Sequence, residues 1–283
     1  MKNIFYIILI TQFFLGINFN IPSAFCQLTD LDKMGLKDSV KSIRIITHSV
    51  SDDVNTGNDE KVVSDQLSMY NIYGNEIEKH IYKDGKLFSK IIFEYDENNH
   101  KRSLKDFTAN GEPYLTVSYT TDQKGYITEA LWDRSLQRLY DDERNPIDVE
   151  FEKIYQNLYT KVTYKNSYNG KVLTEEYFKP DGSKSGKYAF TYDHKGHKKT
   201  SAYYNSKGVS TSDKKYYYNS KGLAETCKLK IRHRLAMTSN FKYIYDEKGN
   251  WIKRIENKYI IESIYTQDFD DGTIITYREI AYY

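Results

Sequence analysis

The sequence predicts an all-β fold, an elongated antiparallel β-meander of repeated hairpins in an open or spiralling sheet. Three observations support this prediction. Side chains alternate at a period of two, with Phe241, Tyr243 and Tyr245 on one side and Lys242 and Ile244 on the other. Turn sequences recur about every 13 residues, which leaves room for one strand between them. No stretch after residue 35 repeats its apolar residues at the 3.6-residue period of a helix.

The composition is typical of a sheet with one buried face and one face in water. Of the 283 residues, 39% are hydrophobic and 28 are tyrosine. Tyrosine combines an apolar ring with a polar hydroxyl, so it suits strands that are half buried. This aromatic content is far too high for a disordered chain. The formal net charge is only +2, which gives no indication of a nucleic-acid partner.

The first 26 residues have the features of a secretory signal peptide. A positively charged start precedes an apolar run over residues 4–17 and a small-residue stretch that ends at Cys26. The run is too short to cross a bilayer comfortably, and no second apolar run follows it. Cleavage after Cys26 leaves Gln27 first and one domain over residues 27–283. Lipidation of Cys26 is the rival interpretation, although Phe25 stands where that signal needs a small residue. We therefore expect an exported protein of the periplasm, the cell surface or the medium.

Searching the chain for self-similarity reveals an array of units about 26 residues long. Each unit has aromatic residues followed by a turn that opens with Asp or Asn and usually carries Gly three residues later. Such copies begin at Phe93, Phe190, Tyr216 and Tyr243. Tyr192 and Tyr218 lie 26 residues apart. A constant period of this length indicates tandem structural units.

The residues of these turns are expected to shape the backbone. Aspartate at the first turn position accepts hydrogen bonds from N–H groups two residues on, and glycine at the fourth position adopts positive φ without a Cβ clash. The structural turn residues predicted in this way are Asp96, Asp193, Gly196, Gly222, Asp246 and Gly249. In one unit the aspartate is replaced by Asn219, a change that a catalytic acid would not be expected to undergo.

The pattern Tyr-x-Tyr-Asp-x-x-Gly-Asn at residues 243–250 resembles the YD repeat of the RHS family. The resemblance covers most of the mature chain, with an opening strand at residues 35–43 and a closing pair at residues 249–254 and 278–283. It implies a short exported bacterial protein built from stacked hairpins. Large RHS proteins wrap such hairpins into a shell around a toxin. This chain is much shorter and lacks the Asp-Pro dipeptide of their cleavage motif, so encapsulation is not implied.

Several stretches resemble chemical motifs but lack an essential part. Residues 182–188 have one residue too few between the glycines for a phosphate loop, and Tyr188 replaces its magnesium-binding Ser or Thr. His194 and His197 have no further zinc ligand nearby in sequence. After cleavage Cys227 is the only thiol, so it forms no internal disulfide, and nothing nearby would activate it. Adjacent acidic pairs point to opposite strand faces, which does not suit a glycosidase. We therefore expect no cofactor, metal or catalytic residue.

The tyrosines are the remaining candidates for a functional surface. Rows of rings stabilise a sheet by cross-strand packing, and an exposed part of a row would stack on a sugar or a peptide beside lysines. The candidate binding surface consists of Tyr192, Tyr218, Tyr243, Tyr245 and Trp251. The sequence thus predicts a non-enzymatic binding or scaffold protein of the bacterial cell envelope, with an envelope protein or glycan as partner. A glycan-directed hydrolase and a purely structural spacer are the alternatives.

Two irregular stretches and the ends of the array complete these expectations. Residues 52–64 predict a hairpin loop, and residues 133–147 predict an inserted loop or a bend. Terminal strands over residues 40–49 and 273–283 would cap an open sheet. Trp251, in the last regular unit, would cover the end of the stack.

Overall fold

The computed structural model describes residues 29–36, 39–51, 59–133, 159–260 and 272–283. Within these ranges it has one short helix, α1 (Asp30–Lys33), and sixteen strands: β1 (Val40–Ser51), β2 (Asp59–Tyr70), β3 (Glu76–Lys83), β4 (Lys86–Tyr95), β5 (Lys101–Thr108), β6 (Pro113–Thr121), β7 (Ile127–Asp133), β8 (Lys161–Asn166), β9 (Val172–Phe178), β10 (Lys184–Tyr192), β11 (Lys198–Asn205), β12 (Ser210–Tyr218), β13 (Ala224–Ile231), β14 (Arg234–Tyr245), β15 (Trp251–Ile260) and β16 (Gly272–Tyr282). Consecutive strands pair in antiparallel fashion, as the hairpin pattern predicted. The expected signal peptide, with Cys26, lies outside the described residues.

The sheet closes into a barrel because its first and last strands pair with each other. The ladder between β1 and β16 runs from Val40 opposite Tyr282 to Val50 opposite Thr273. The expectation of an open or spiralling sheet with capped ends is therefore wrong. Each terminal strand satisfies the backbone groups of the other, which removes both sheet edges. For the same reason there is no end of a stack for Trp251 to cover.

Two further boundaries differ from the expectations. β2 begins at Asp59, so residues 59–64 belong to a strand and not to the predicted loop, whose residues 52–58 lie outside the described ones. Residues 59–64 pair with the long strand β1, although their own sequence is polar and does not alternate clearly. The opening strand starts only at Val40, and Gly35, which was predicted to begin it, lies in the turn after α1 with φ of 62°. Of the predicted bend, residues 134–147 also lie outside the described ranges.

Alternate turns lie at opposite ends of the barrel. One end, here called the Asp-turn rim, comprises the turns at residues 71–75, 96–100, 122–126, 167–171, 193–197, 219–223 and 246–250. These turns open with Asp, Asn or Ser. The opposite end has the turns at residues 84–85, 109–111, 180–182, 206–208 and 232–233. The chain enters β1 and leaves β16 at the Asp-turn rim, because these two strands are antiparallel and begin and end beside each other.

The turn at residues 246–250 shows how the rim turns are made. The N–H of Gly249 donates to the carbonyl of Asp246 at 3.0 Å, and the N–H of Asp246 donates to the carbonyl of Asn250 at 2.8 Å. Gly249 has φ of 81°, so the loop is a type I turn followed by a left-handed residue. Asn99 adopts the same conformation, with φ of 60°, where one unit lacks the glycine. The register shift beside each turn is the bulge that this hairpin type produces.

The strands direct one set of side chains inward and the other set outward. In β13, Cys227 and Leu229 are buried, whereas Lys228 and Lys230 are exposed. The ladder pairs buried residues with buried residues across strands, for example Val162 with Tyr177. One inward cluster contains Leu115, Val117, Ala130, Val162 and Tyr177, and the other contains Leu31, Val40, Ile43 and Tyr70. The inward face therefore carries most of the buried apolar and aromatic side chains, together with some polar and charged ones.

Helix α1 docks at the Asp-turn rim through a buried carboxylate. The side chain of Asp30 accepts hydrogen bonds from the N–H of Glu76 at 3.0 Å and the hydroxyl of Tyr95 at 2.9 Å. Burial disfavours its charged form, but the ammonium groups of Lys101 and Lys33 outweigh burial and hold the pKa of Asp30 below its usual range. The segment before β1 is thereby fixed to β3, β4 and β5. No helix in the described ranges is long and apolar enough to cross a bilayer.

Candidate functional site

The tyrosines that precede the Asp turns connect neighbouring hairpins. The hydroxyls of Tyr192, Tyr218 and Tyr243 donate to the carbonyls of Val172, Lys198 and Ala224, at 2.6–2.8 Å. Each acceptor lies five residues after the residue that opens the previous rim turn. Burial raises the pKa of Tyr243 to about 12, so its hydroxyl keeps the proton that it donates. Three of the five predicted binding residues thus have their polar ends directed to the backbone.

The other two predicted binding residues contact cations. Trp251 is buried, and the guanidinium carbon of Arg278 lies 3.5 Å from the centre of its ring. The ring of Tyr245 has the ammonium of Lys221 at 3.5 Å from its centre. The five selected aromatic residues therefore do not form one continuous exposed strip. They lie on the inward face near the Asp-turn rim, where most of them are half-buried.

The predicted turn residues lie on the rim with their side chains bonded to the turn backbone. Oδ1 of Asp96 accepts from the N–H groups of Asn98 and His100, at 2.9 and 2.8 Å. Oδ1 of Asp193 and of Asp246 accepts from the N–H four residues on, at 2.8 Å in both turns. These N–H groups help to hold the pKa of Asp96 below its usual value.

Neighbouring rim turns also pack on each other through their glycines. Gly222 has φ of 77°, and Nε2 of His197 lies 2.8 Å from the position that a Cβ would occupy there. Lys171 covers Gly196 in the same way. At the opposite end, Gly208 has φ of 78° but no atom within 4 Å of its Cβ position. Glycine is therefore favoured at these rim positions for two reasons: the backbone has positive φ, and a side chain of the neighbouring unit approaches closely.

A groove with a volume of about 540 Å³ lies at the turn of residues 193–197 and the end of β12. Its ring faces and cations come from His197, Tyr217, Tyr218, Lys195, Lys199 and Lys215. The rings of His197 and Tyr218 are stacked, with centroids 4.8 Å apart. Tyr217 points outward and is 41% exposed, with the ammonium of Lys215 at 5.2 Å from its ring centre. The predicted residues Tyr192, Asp193 and Tyr218 line this groove, whereas Tyr243, Tyr245 and Trp251 do not.

A second groove of about 460 Å³ lies between the rim turns at residues 122–126 and 167–171, two turns earlier along the chain, and its lining includes Lys124, Tyr126, Tyr164 and Tyr168. Tyr168 is the most exposed of its tyrosines, at 87%. Both grooves lie between two consecutive rim turns, and ring faces and a lysine recur at both places. The same kind of depression is therefore present at two positions on the described part of the rim.

The first groove contains one acid–imidazole pair. Nδ1 of His197 lies 3.1 Å from Oδ2 of Asp193, whose other oxygen holds the turn. None of the described lining residues is a serine, threonine or cysteine, so the pair has no hydroxyl of Ser or Thr and no thiol to activate in this groove. In the described part of the chain, no three His, Cys, Asp or Glu side chains converge as metal ligands. This arrangement stabilises the turn and presents a flat ring surface.

The interior holds charged groups that the sequence did not indicate. The hydroxyl of Tyr177 donates to Oε2 of Glu175 at 2.7 Å. Burial raises the pKa of Glu175 although Tyr177 and Lys198 oppose it, and burial lowers the pKa of Lys198. Asp106 is 3% exposed, and its Oδ1 has no hydrogen-bond partner. Nothing in the local sequence distinguishes these residues from outward-facing ones, because strand parity at each bulge decides the face.

No family model matches this chain, and no curated protein matches it. It is similar in structure to a porin-like protein from Bacteroides uniformis ATCC 8492, with 12% identity, 86% of this chain and 96% of that chain covered, and a TM-score of 0.50. A porin-like protein from Bacteroides vulgatus ATCC 8482 shares 11% identity, with 87% and 99% covered and a TM-score of 0.44. A putative outer membrane lipoprotein-sorting protein domain from Vibrio parahaemolyticus shares 8% identity, with 85% of each chain covered and a TM-score of 0.30. At these identities the first likeness shows a shared fold.

Proposed function

We propose that this chain is an exported, non-enzymatic binding or scaffold protein of the bacterial cell envelope that contacts its partner through the groove at residues 193–197. The observation that carries this proposal is the exposed ring of Tyr217 beside three lysines in one depression. Ring faces stack on the apolar faces of sugars, and ammonium groups bind acidic substituents. We further propose that the repeats are of the YD type.

The charge of the groove favours an acidic partner. Lys195, Lys199 and Lys215 line it, and its one carboxylate, on Asp193, already accepts hydrogen bonds from the turn. An excess of cations in a concave site attracts anions and gives electrostatic complementarity. We therefore propose an envelope glycan with acidic groups as the partner. An acidic envelope protein is the competing result that the binding experiment can reveal.

The outward faces of the strands support contact through water. In β13 they carry Lys228 and Lys230, and in β12 they carry Lys215 beside Tyr217. These side chains lie next to the groove and are exposed, so we propose that the partner reaches the groove through water.

The test is binding of residues 27–283 to a panel of neutral and acidic oligosaccharides and to an envelope extract. We expect retention of acidic glycans, and in Tyr217→Ser an affinity at least about tenfold lower. Tyr259→Ser is the matched control, since Tyr259 is also outward and 53% exposed but lies on β15, away from the groove. An equal loss of affinity in both variants, or the absence of any retained glycan or envelope protein, would show that the groove is not the binding site.

The proposed location has a separate test. Intact-mass measurement of the protein recovered from its native host should give a chain that starts at Gln27. A diacylglyceryl group on Cys26 would instead establish a lipid anchor. A chain that keeps Met1 would contradict export.

A further inference from the structure

Two arginines on the neighbouring strands β15 and β16 face the barrel interior, three and four strands beyond β12 of the groove. Arg254 of β15 lies opposite Thr276 of β16, which is 3% exposed, and its Nη2 donates to Oγ1 of that threonine at 3.3 Å. Arg278 follows Thr276 by two residues and therefore lies on the same inward face. The guanidinium carbons of Arg254 and Arg278 lie 5.8 Å and 3.5 Å from the ring centre of Trp251, so both groups occupy the same part of the interior.

These guanidinium groups have donors without acceptors. Nε and Nη1 of Arg278 and Nε of Arg254 are shielded from solvent and have no hydrogen-bond partner. Neither arginine forms an ion pair with a carboxylate in the described part of the chain. Arg44, on the outward face, shows the usual arrangement, with two hydrogen bonds to Asp65 at 3.0 and 2.8 Å. Buried charged groups are normally paired in this way, because leaving them unpaired is energetically costly.

Aromatic rings hold both guanidinium groups in place. Arg278 lies 3.5 Å above the ring of Trp251, and Arg254 lies 5.7 Å from the ring centre of Phe241. A stacked guanidinium directs its N–H groups sideways, in the plane of the fork. The carboxylate on this face of β15, Glu256, lies opposite Phe241 and Ile274. Burial together with the charge of Arg254 lowers the pKa of Arg278 to about 9, which agrees with a cation that lacks an acidic neighbour.

We propose that Arg254 and Arg278 form a binding site for an oxyanion, a phosphate, sulfate or carboxylate group, inside the barrel. The planar fork of arginine matches two oxygens of such a group. A dianion such as sulfate or hydrogen phosphate balances both positive charges, whereas a carboxylate balances one of them. Chloride offers no pair of oxygens and binds less well. The site is independent of the groove, which lies on β10 to β12.

Tryptophan fluorescence provides a direct test because the ring of Trp251 stacks on Arg278. The chain has 2 tryptophans, so Trp132→Phe leaves Trp251 as the only reporter. In this parent variant we expect a saturable fluorescence change with inorganic phosphate and with sulfate, and none with chloride at equal ionic strength. Arg278→Gln should weaken phosphate binding at least about tenfold. Arg234→Gln removes the same charge from an exposed position at the far end of β14 and should leave the affinity unchanged.

Two results would overturn the proposal: no oxyanion-specific change in the parent variant, or the same affinity in Arg278→Gln as in the parent. If Arg278→Gln does not fold, Arg278→Lys keeps the charge without the planar fork and should still lower the affinity. A final arm compares inorganic phosphate with glucose 6-phosphate. Tighter binding of the sugar phosphate identifies an anionic group on a larger molecule, and equal binding identifies a free oxyanion.

Discussion

The hydroxyl of Tyr218 donates a 2.6 Å hydrogen bond to the carbonyl oxygen of Lys198 and so joins one hairpin to the next. Removing this hydroxyl leaves a half-buried carbonyl without that donor. We expect Tyr218→Phe to lower the free energy of unfolding by about 1 kcal/mol. Tyr217→Phe is the control, because its ring points outward. Urea denaturation of both variants measures the difference, and equal stabilities would show that the hydroxyl does not hold the hairpins together.

A comparison of Gly222 with Gly208 separates the effect of positive φ from the effect of close packing against the neighbouring turn. Both have positive φ, so alanine at either position is strained by about 1 kcal/mol. At Gly222 the new methyl group also meets His197, whose ring is held by its stack on Tyr218. We expect Gly222→Ala to lower the melting temperature more than Gly208→Ala. Calorimetry compares the two, and a larger loss for Gly208→Ala would contradict the turn-to-turn packing.

Substitutions of Asp193 test whether this residue shapes the turn or acts as a catalytic acid. Asn219 accepts the equivalent backbone hydrogen bonds one unit later, from Lys221 at 3.0 Å and Leu223 at 3.1 Å. Asp193→Asn should therefore preserve stability, whereas Asp193→Ala should lower it by about 1 kcal/mol. Thermal denaturation checks both values. Asp193→Asn should also retain glycan binding. A hydrolytic activity that is present in the wild type and lost in this variant would instead support the enzyme alternative.

Asp106 makes stability depend on pH in a defined direction. Its carboxyl group lies between Ile91 and Leu115 on the neighbouring strands, and burial raises the pKa of Asp106 to about 7. Below about pH 3 the group is mostly protonated in both folded and unfolded chains. As pH rises to about 7, the unfolded chain ionises first, so the folded state loses about 4 kcal/mol relative to its acid value. Above pH 7 the loss is complete.

The comparison that isolates this effect is Asp106→Asn, which cannot ionise. The difference in unfolding free energy between the variant and the wild type should grow from pH 4 to pH 7 and then stay constant. Denaturant titrations across this range measure it. A difference that is flat over the whole range would mean that the carboxyl group is ionised and solvated in the folded protein.

Much of the strand and turn pattern could be predicted because it depends on residues that are close together in the sequence. Between strands, an Asp or Asn followed by Gly three residues later recurs in the same kind of turn, and alternation then predicts the faces of each strand. The turn at Arg232 and His233 has no such signal, and both residues adopt positive φ, at 47° and 68°. Helix α1 was also missed, because four residues are too few to show a period.

Closure and the charged interior could not be predicted for a different physical reason. The strands β1 and β16 have the same alternation as their neighbours, so nothing local says that they pair with each other. Arg254 and Arg278 likewise look like ordinary exposed strand residues. Their direction depends on bulges at the turns, each of which changes which face the following side chains occupy. Only the complete set of registers determines the interior.

The pairing of β1 with β16 also governs when the protein can finish folding. The hydroxyls of Thr47 and Thr276 lie 3.4 Å apart, although 229 residues separate them in the chain. Hairpins along the array form from neighbouring segments, but this last ladder has the highest contact order in the sheet and the largest loop-closure entropy to overcome. Until β16 has been synthesised, the array has two open edges that can pair with other chains. The pairing of β16 with β1 is therefore the step that converts an aggregation-prone sheet with two open edges into a closed barrel.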